Sequence, residues 1–489
     1  MVKSPLPDHS EAPSDRSWIR KITSKFGFLY ERGLTSTRIW ADASERRKCL
    51  FLCLLFFLVI GAFTLVKELQ SSVFTKVVGV EYVPLAKMLT MIALLPIVFL
   101  YSYLVDYLTK YKLLAFFSVF YSVLGVVLGL CLGHPQMGLP NTDADPYRFL
   151  GWIFYFYVEG FQPYIVGVFW AFCNAINQPN EARRTYSLIV ASSKTGGMLS
   201  AGFAYFLMEW PHLFGWSLDM VVKQQILLVI TGVLLLFVPV VIYYMRHAVD
   251  DKHFLGYRAD LRVKKEESPR RIRTGVWAGL KLLISRPYVL AIFGMVFFFE
   301  LINQVLNYQR LVLADKQAAE ICALNAILYK QIFFVHFTGF FLSLFGTSFF
   351  MRVLGVGRSL LLMPIASLIL ILGFVISGSI DMLLIAYIGL HSANYTLNIP
   401  VRESLYILAS KDIQFKSKSW IDSFGTKFAK SMGQQFNLLT NLVQAQSGLI
   451  LYTLVNNIFL IVVLILWLVT SVFLGRRYQQ AIRKNELIE

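Results

Sequence analysis

Ionisable side chains inside long apolar runs are the groups of this sequence with chemistry to do. Glu159 stands in Tyr157-Val158-Glu159-Gly160-Phe161-Gln162-Pro163, and Lys194 in Ser192-Ser193-Lys194-Thr195-Gly196-Gly197. Glu300 is followed at helical spacing by Asn303, Gln304 and Asn307. Arg402 and Glu403 sit in Asn398-Ile399-Pro400-Val401-Arg402-Glu403, Lys427 and Lys430 follow Asp422, and Lys67 and Glu68 close the first apolar run. A charge at the centre of a bilayer is costly, so such residues face a bundle interior and serve the movement of substrates, ions or protons. The cations Lys67, Lys194, Arg402 and Lys427 outnumber Glu159 and Glu300, which suits an anionic substrate, and Lys and Arg are the usual partners of phosphate. Trp152, Tyr155, Tyr157, Tyr164, Phe169 and Trp170 are able to stack a flat ring, although facing lipid is the commoner role of such residues.

Each charge also has a structural reading. Lys67 and Glu68 fit a membrane face, Lys427 and Lys430 can snorkel from a helix end, and Glu159 and Lys194 can form an ion pair. Arg402 and Glu403 point about 100° apart on a helix, so each can pair with a different neighbour. Lys87 and Lys330 read as interfacial. Other chemistries are absent from the sequence. His134, His336 and His391 stand apart, no Cys/His cluster has metal-ligand spacing, and there is no Gly-rich phosphate loop or nucleophile elbow. Cys49, Cys53, Cys131, Cys173 and Cys322 form no disulfide framework and read as packing residues. An enzyme is therefore not expected, nor is a cofactor.

The elements that must position these charges follow from composition. Of the 489 residues 56% are hydrophobic and 15% charged, where a soluble domain carries about 25% charged residues. Apolar runs recur at 49–67, 84–106, 113–133, 149–176, 186–208, 223–245, 288–309, 327–351, 359–378, 382–408, 420–444 and 448–475. Each approaches the roughly 20 residues that a helix needs to cross a bilayer core. Continuous runs select helices, since barrel strands alternate over about 10 residues. The fold class is thus an all-α integral membrane protein of about twelve transmembrane helices, whose partner is the lipid bilayer.

The net charge of +17 does not indicate nucleic-acid binding, because the basic residues gather in alternate loops. The segment before the first run, the loops after runs 2, 4, 6, 8 and 10, and the C-terminal tail are all rich in Lys and Arg, while 134–147 has neither. By the positive-inside rule both termini lie in the cytoplasm. The chain divides into a cytoplasmic segment 1–48, a six-helix half 49–245, a basic cytoplasmic loop 246–287, a second six-helix half 288–475 and a tail 476–489. Weakly matching turns at Ser102–Lys110 and Gly346–Gly355 occupy corresponding places in the halves and suggest a six-plus-six, major-facilitator-like carrier with its site near the midplane. Pro163, Gly196, Gly197, Asn394, Asn398 and Pro400 mark irregular or closely packed backbone in runs 4, 5 and 10.

Three segments resemble the ATP/ADP translocase type of nucleotide transporter, found in plastids and intracellular bacteria. They are Phe169-Trp170-Ala171-Phe172-Cys173-Asn174 with Glu181-Ala182-Arg183-Arg184 and Tyr186; Ser285-Arg286-Pro287-Tyr288; and Asn394 to Glu403 continuing through Lys416–Gly433. The resemblance implies a twelve-helix major-facilitator-like fold and either counter-exchange of adenine nucleotides or proton-coupled nucleotide uptake. It also implies four charges along the pathway. The first, a Lys, falls at Gln70, with Lys67 one turn before it. The second, a Glu, falls at Glu159. The third, another Glu, falls at Asn307, with Gln304 as the lesser choice. The last, a Lys, falls at Arg402, followed by a matching Glu403. Lys194 stands where the family commonly has Asn. Two of the four charges are thus neutral here and one cation is new, the mark of an altered site.

The resulting expectation is a monomeric secondary transporter in the inner membrane of an intracellular bacterium. It would move a nucleotide-like anion by alternating access, as an antiporter or coupled to protons. Lys67, Gln70, Glu159, Lys194, Asn307, Arg402, Glu403 and Lys427 are its expected substrate-binding residues. Proton-coupled transport of a non-nucleotide organic anion is the first alternative, and a non-transporting scaffold derived from a carrier the second.

Overall fold

The computed structural model describes residues 43–93, 104, 107–177, 179–210, 212–213, 216–250, 254, 277–343, 347–406, 409, 413 and 417–484. Most of the N-terminal segment, much of the central basic loop and residues 102–103 and 105–106 of the Ser102–Lys110 turn lie outside them, as does Gly346 of the matching turn.

Helix α1 (Ala43–Val77) has 35 residues, about 52 Å at 1.5 Å per residue, and extends ten residues beyond the apolar run. Lys67 and Glu68 therefore lie inside the helix and not at its end, because their charged ends meet protein partners instead of lipid. Helix α2 (Val83–Ala93) and helix α3 (Lys110–Cys131) follow. Helix α4 (Phe149–Phe161) passes through a π-helical segment, Gln162–Val166, into α5 (Gly167–Ile176). Helix α6 (Pro179–Glu209) begins on a proline, and α7 (Met220–Ala248) closes the first half. Between them His212–Leu213 and Trp216–Ser217 form a two-residue antiparallel ladder.

A short α8 (Trp277–Ser285) leads at Arg286 into α9 (Pro287–Gln317), where Pro287 fills a first-turn position whose N–H would have no helical acceptor. Helix α9 outruns its apolar run by eight residues, again because its charges are engaged. Helix α10 (Ile321–Phe341) begins six residues before the run read at 327–351, and α11 (Thr347–Ser377) is broken at Gly355, whose φ of 71° favours glycine. Helix α12 (Ile380–Ala393) continues through a π-helical segment, Asn394–Asn398, into α13 (Ile399–Leu405). A third π-helical segment, Ile421–Gly425, joins α14 (Lys418–Trp420) to α15 (Thr426–Lys484). Gly448, at φ 81°, divides α15 into two antiparallel passes.

Seven helices among the described residues are long and apolar enough to cross a membrane. Helix α15 makes two passes, and α2, α4–α5, α6 and α12–α13 bring the helical rods to twelve. The fourth rod of each half, α4–α5 and α12–α13, carries a π-helical segment with a proline in it or just after it, Pro163 and Pro400. A proline lacks the N–H for an i→i−4 bond, and the wider turn accommodates that loss.

Apolar residues from Leu52 to Val249 form one core and those from Leu283 to Ala481 another. Ile321, Ala326 and Tyr329 of α10 join the first core, so α10 belongs to the second half by sequence yet docks on the first. Close helix approach depends on small residues. A Cβ on Gly196 would lie 2.4 Å from the Phe57 carbonyl oxygen of α1, and one on Gly197 would lie 2.4 Å from the His336 ring. Backbone cannot yield as a side chain can. Gly196→Val is therefore expected to abolish the monodisperse, detergent-extracted protein seen by size-exclusion chromatography, whereas Gly202→Ala, whose Cβ would meet the Phe333 ring at 3.5 Å, leaves a folded peak.

Candidate functional site

Three of the expected site residues meet where α1 packs on α4. Lys67 Nζ donates to Glu159 Oε1 at 2.7 Å and to Gln70 Oε1 at 2.8 Å. Gln70 Nε2 donates to Glu159 Oε1 at 3.2 Å and to the Tyr155 carbonyl at 2.7 Å. Helix α4 presents Glu159 three residues before its π-helical segment, and the i, i+3 spacing of Lys67 and Gln70 brings both onto the facing side of α1. Gln70 thus orients Glu159 and caps a backbone carbonyl without adding charge. Lys67 and Glu159 remain partly open, with side-chain exposures of 33% and 17%.

The second half offers a comparable pair, Lys430 of α15 and Glu300 of α9, at 4.0 Å. Asn303 Nδ2 donates to Glu300 at 3.4 Å. Lys87 of α2 lies within electrostatic reach of both pairs: Lys67 and Glu159 on one side, Lys430 and Glu300 on the other. It has no hydrogen-bond or ion-pair partner among the described residues. It is half-buried and faces charges of both halves, not the membrane interface read from the sequence. Lys194 of α6 lies against Gly339 of α10, where a Cβ would be 3.7 Å from its Cδ and Cε. It acts electrostatically on His336 and His391, and His391 also feels Arg310, Lys87 and Lys430. His336 bonds Thr64 Oγ1 at 3.1 Å, and His391 lies against the Tyr387 ring. The two histidines read as isolated in sequence thus adjoin the central charges.

The other expected residues lie elsewhere. Arg402 approaches Asp422 at 3.8 Å, and Glu403 accepts from Lys418, whose ammonium also covers the Tyr406 ring. The single segment 418–422 thus takes both adjacent charges. Lys427 is exposed one turn from Lys430, and Asn307 is half-buried on α9. The structure does not draw these four into the Lys67–Glu159 cluster.

Sequence reading missed a line of polar contacts joining the halves. Thr64, Glu68, Ser72 and Lys76 recur every fourth residue along one row of α1. Thr64 meets His336, and Glu68 takes an ion pair from Arg310 at 3.1 Å with both side chains at most 5% exposed. Ser72 donates to Asn325, and Lys76 pairs with Asp315 at 2.8 Å. Arg310 is held further by Gln331 at 3.2 Å and by the Tyr387 ring at 4.1 Å, while Tyr329 donates to the Leu65 carbonyl at 2.6 Å. The contacts that α1 makes here all fall in its distal half, remote from the chain ends, so the halves are latched together on that side. The four-residue recurrence was the signal available in sequence.

A buried inter-half ion pair, π-interrupted rods and clustered cations suit a carrier. The sequence profile of the TLC ATP/ADP transporter family matches residues 147–478, well over half of the chain. The chain belongs to the TLC ATP/ADP transporter family. Of the residues expected from the sequence to bind substrate, Glu159, Lys194, Asn307, Arg402, Glu403 and Lys427 fall inside the matched region; Lys67 and Gln70 precede it. Its fold is similar to that of a D-xylose–proton symporter (TM-score 0.57, 12% identity, covering 88% of this chain and 96% of that one). It is also similar to the inward-open xylose transporter XylE from E. coli (0.52, 13%, 86% and 94%). A bacterial homologue of the iron transporter ferroportin shares it too (0.54, 12%, 88% and 99%). At such identities the likeness concerns the fold alone. Comparison with curated proteins gives no match. The TLC protein is therefore a multi-pass helical membrane protein with the fold of a secondary transporter, and not an enzyme.

Proposed function

We propose that this TLC protein moves a nucleotide, or a nucleotide-like anionic metabolite, by alternating access between its halves. The observation that carries this reading is the excess of cations at the centre of a TLC-family chain. Lys67, Lys87, Lys194, Arg310 and Lys430 stand against Glu68, Glu159 and Glu300. A phosphate chain would supply the missing negative charge and draw both halves onto itself. Lys67, Lys87, Lys194 and Arg402 are the proposed anion partners, with Glu403 and Lys427 in the same part of the second half as Arg402. Glu159 releases Lys67 to the substrate and binds a proton in its place. Gln70 and Asn307 are neutral where the resemblance puts charges, which argues for a substrate other than plain ATP exchanged for ADP. The protein works in the inner membrane of an intracellular bacterium with both termini in the cytoplasm. On that orientation the latched side is the outer one. The neutral Gln70 also favours a second reading, proton-coupled uptake of a non-nucleotide organic anion.

A thermal-shift screen of the purified protein tests the reading. A ligand that binds only the folded state raises its apparent stability by mass action. Nucleoside di- or triphosphates are expected to stabilise the protein, and Lys87→Gln to weaken that binding on the order of tenfold, about 1.4 kcal/mol. Stabilisation by a phosphate-free organic acid, with no response to any nucleotide, would replace the first reading with the second.

A further inference from the structure

A cleft of about 490 Å³ opens between the first turns of α3 and the end of α7, far in sequence from the central charges. Lys112, Arg246 and His247 occupy the terminal turns of these helices and form its mouth; Ala115, Pro239 and Ile242 form its deeper end. The Arg246 guanidinium lies 4.3 Å over the Tyr111 ring, and His247 Nδ1 meets the Tyr243 carbonyl at 2.9 Å. The Arg246 and His247 side chains are thereby held at the mouth, and none of the described lining residues is acidic. Mouth and floor lie about 12 Å apart along α7, from His247 to Pro239 at 1.5 Å per residue.

The surroundings say what the cleft faces. Phe116, Val119, Phe237, Val240 and Tyr244 beside it are exposed apolar or aromatic side chains, as on a helix surface turned to the bilayer. A soluble anion would use only the mouth. An amphiphile with an anionic head and a hydrocarbon tail would use the whole cleft: phosphate at Lys112 and Arg246, first methylenes against Ala115, Ile242 and Pro239. Basic pockets between transmembrane helices at headgroup level favour anionic lipids, and ringed Tyr residues belong at that depth.

We propose that the α3–α7 cleft is a binding site for an anionic phospholipid of the leaflet on the side of the chain ends. Lys112 and Arg246 hold its phosphate, and Tyr111 and Tyr243 flank its glycerol region. The site makes no use of the transport pathway.

The test uses the full chain purified in a neutral detergent, with its thermal midpoint read after adding dioleoylphosphatidylglycerol, dioleoylphosphatidylcholine or glycerol phosphate. The phosphatidylglycerol sample is expected to melt highest, with the other two near the lipid-free value. The difference between the lipids is expected to vanish in Lys112→Gln/Arg246→Gln. Ala115→Trp, which fills the floor and keeps both cations, is expected to remove it too. Preference for phosphatidylglycerol surviving both variants would overturn the site. So would equal stabilisation by glycerol phosphate, which would mean a headgroup-only anion site.

Discussion

Arg310→Met is expected to destabilise the protein by about 3–5 kcal/mol, the cost of leaving one member of a buried ion pair without its partner. Glu68 would remain 4% exposed among apolar neighbours with its counter-charge gone. The double variant Glu68→Gln/Arg310→Met is expected to recover most of that stability, since no uncompensated charge stays buried. It should not recover the latch. The halves would then separate more readily on the side remote from the chain ends. Half-buried Cys322, 3.6 Å from Gln224 across the junction, reports that opening. In a Cys131→Ala background, which removes an exposed thiol, a membrane-impermeant maleimide should label Cys322 faster in the double variant. Unchanged labelling would show that the ion pair does not hold the halves shut.

Glu159→Gln is expected to lower net uptake on the order of 100-fold, equivalent to about 2.7 kcal/mol. The amide keeps the size of the side chain and loses the charge that balances Lys67. Because the pair is partly exposed, solvent softens the loss, and the fold should survive, unlike that of Arg310→Met. Two assays separate the roles open to Glu159. If the carboxylate carries a coupled proton, Glu159→Gln loses gradient-driven accumulation but still exchanges substrate across the membrane. If it only positions Lys67, both activities fall together. In that case the swapped pair Lys67→Glu/Glu159→Lys should recover part of each.

Much of this architecture was legible because lipid imposes a simple code. A helix must satisfy its backbone internally and show apolar side chains outward, so the apolar runs gave the helical rods. The resemblance of the segments around Phe169 and Asn394–Gly433 gave the family. The same code hid the ends of the rods. Lys67 and Glu68 ended the first run by hydropathy, although α1 continues to Val77 with Gln70 and Lys76 on its protein-facing sides. Arg310 and Asp315 likewise fall past the end of the apolar run at 288–309. Hydropathy cannot separate a charge at a membrane face from one aimed at another helix; only the partner does that. Lys87 was misread for the same reason, since its neighbours are the Lys67–Glu159 and Lys430–Glu300 pairs, distant in sequence. The pairing of Arg402 and Glu403 with Asp422 and Lys418 depends on the turn into α14, which no local pattern specifies. The row Thr64, Glu68, Ser72, Lys76 was in plain view, and its four-residue period would have pointed to a polar helix–helix seam.

Uptake of labelled nucleotides by proteoliposomes holding the purified protein tests the central claim most directly. The claim predicts saturable uptake of at least one nucleoside di- or triphosphate, competed by unlabelled nucleotide and strongly reduced in both Glu159→Gln and Lys87→Gln. Folded protein that moves no nucleotide, while it accumulates a phosphate-free organic anion against a proton gradient, would contradict it.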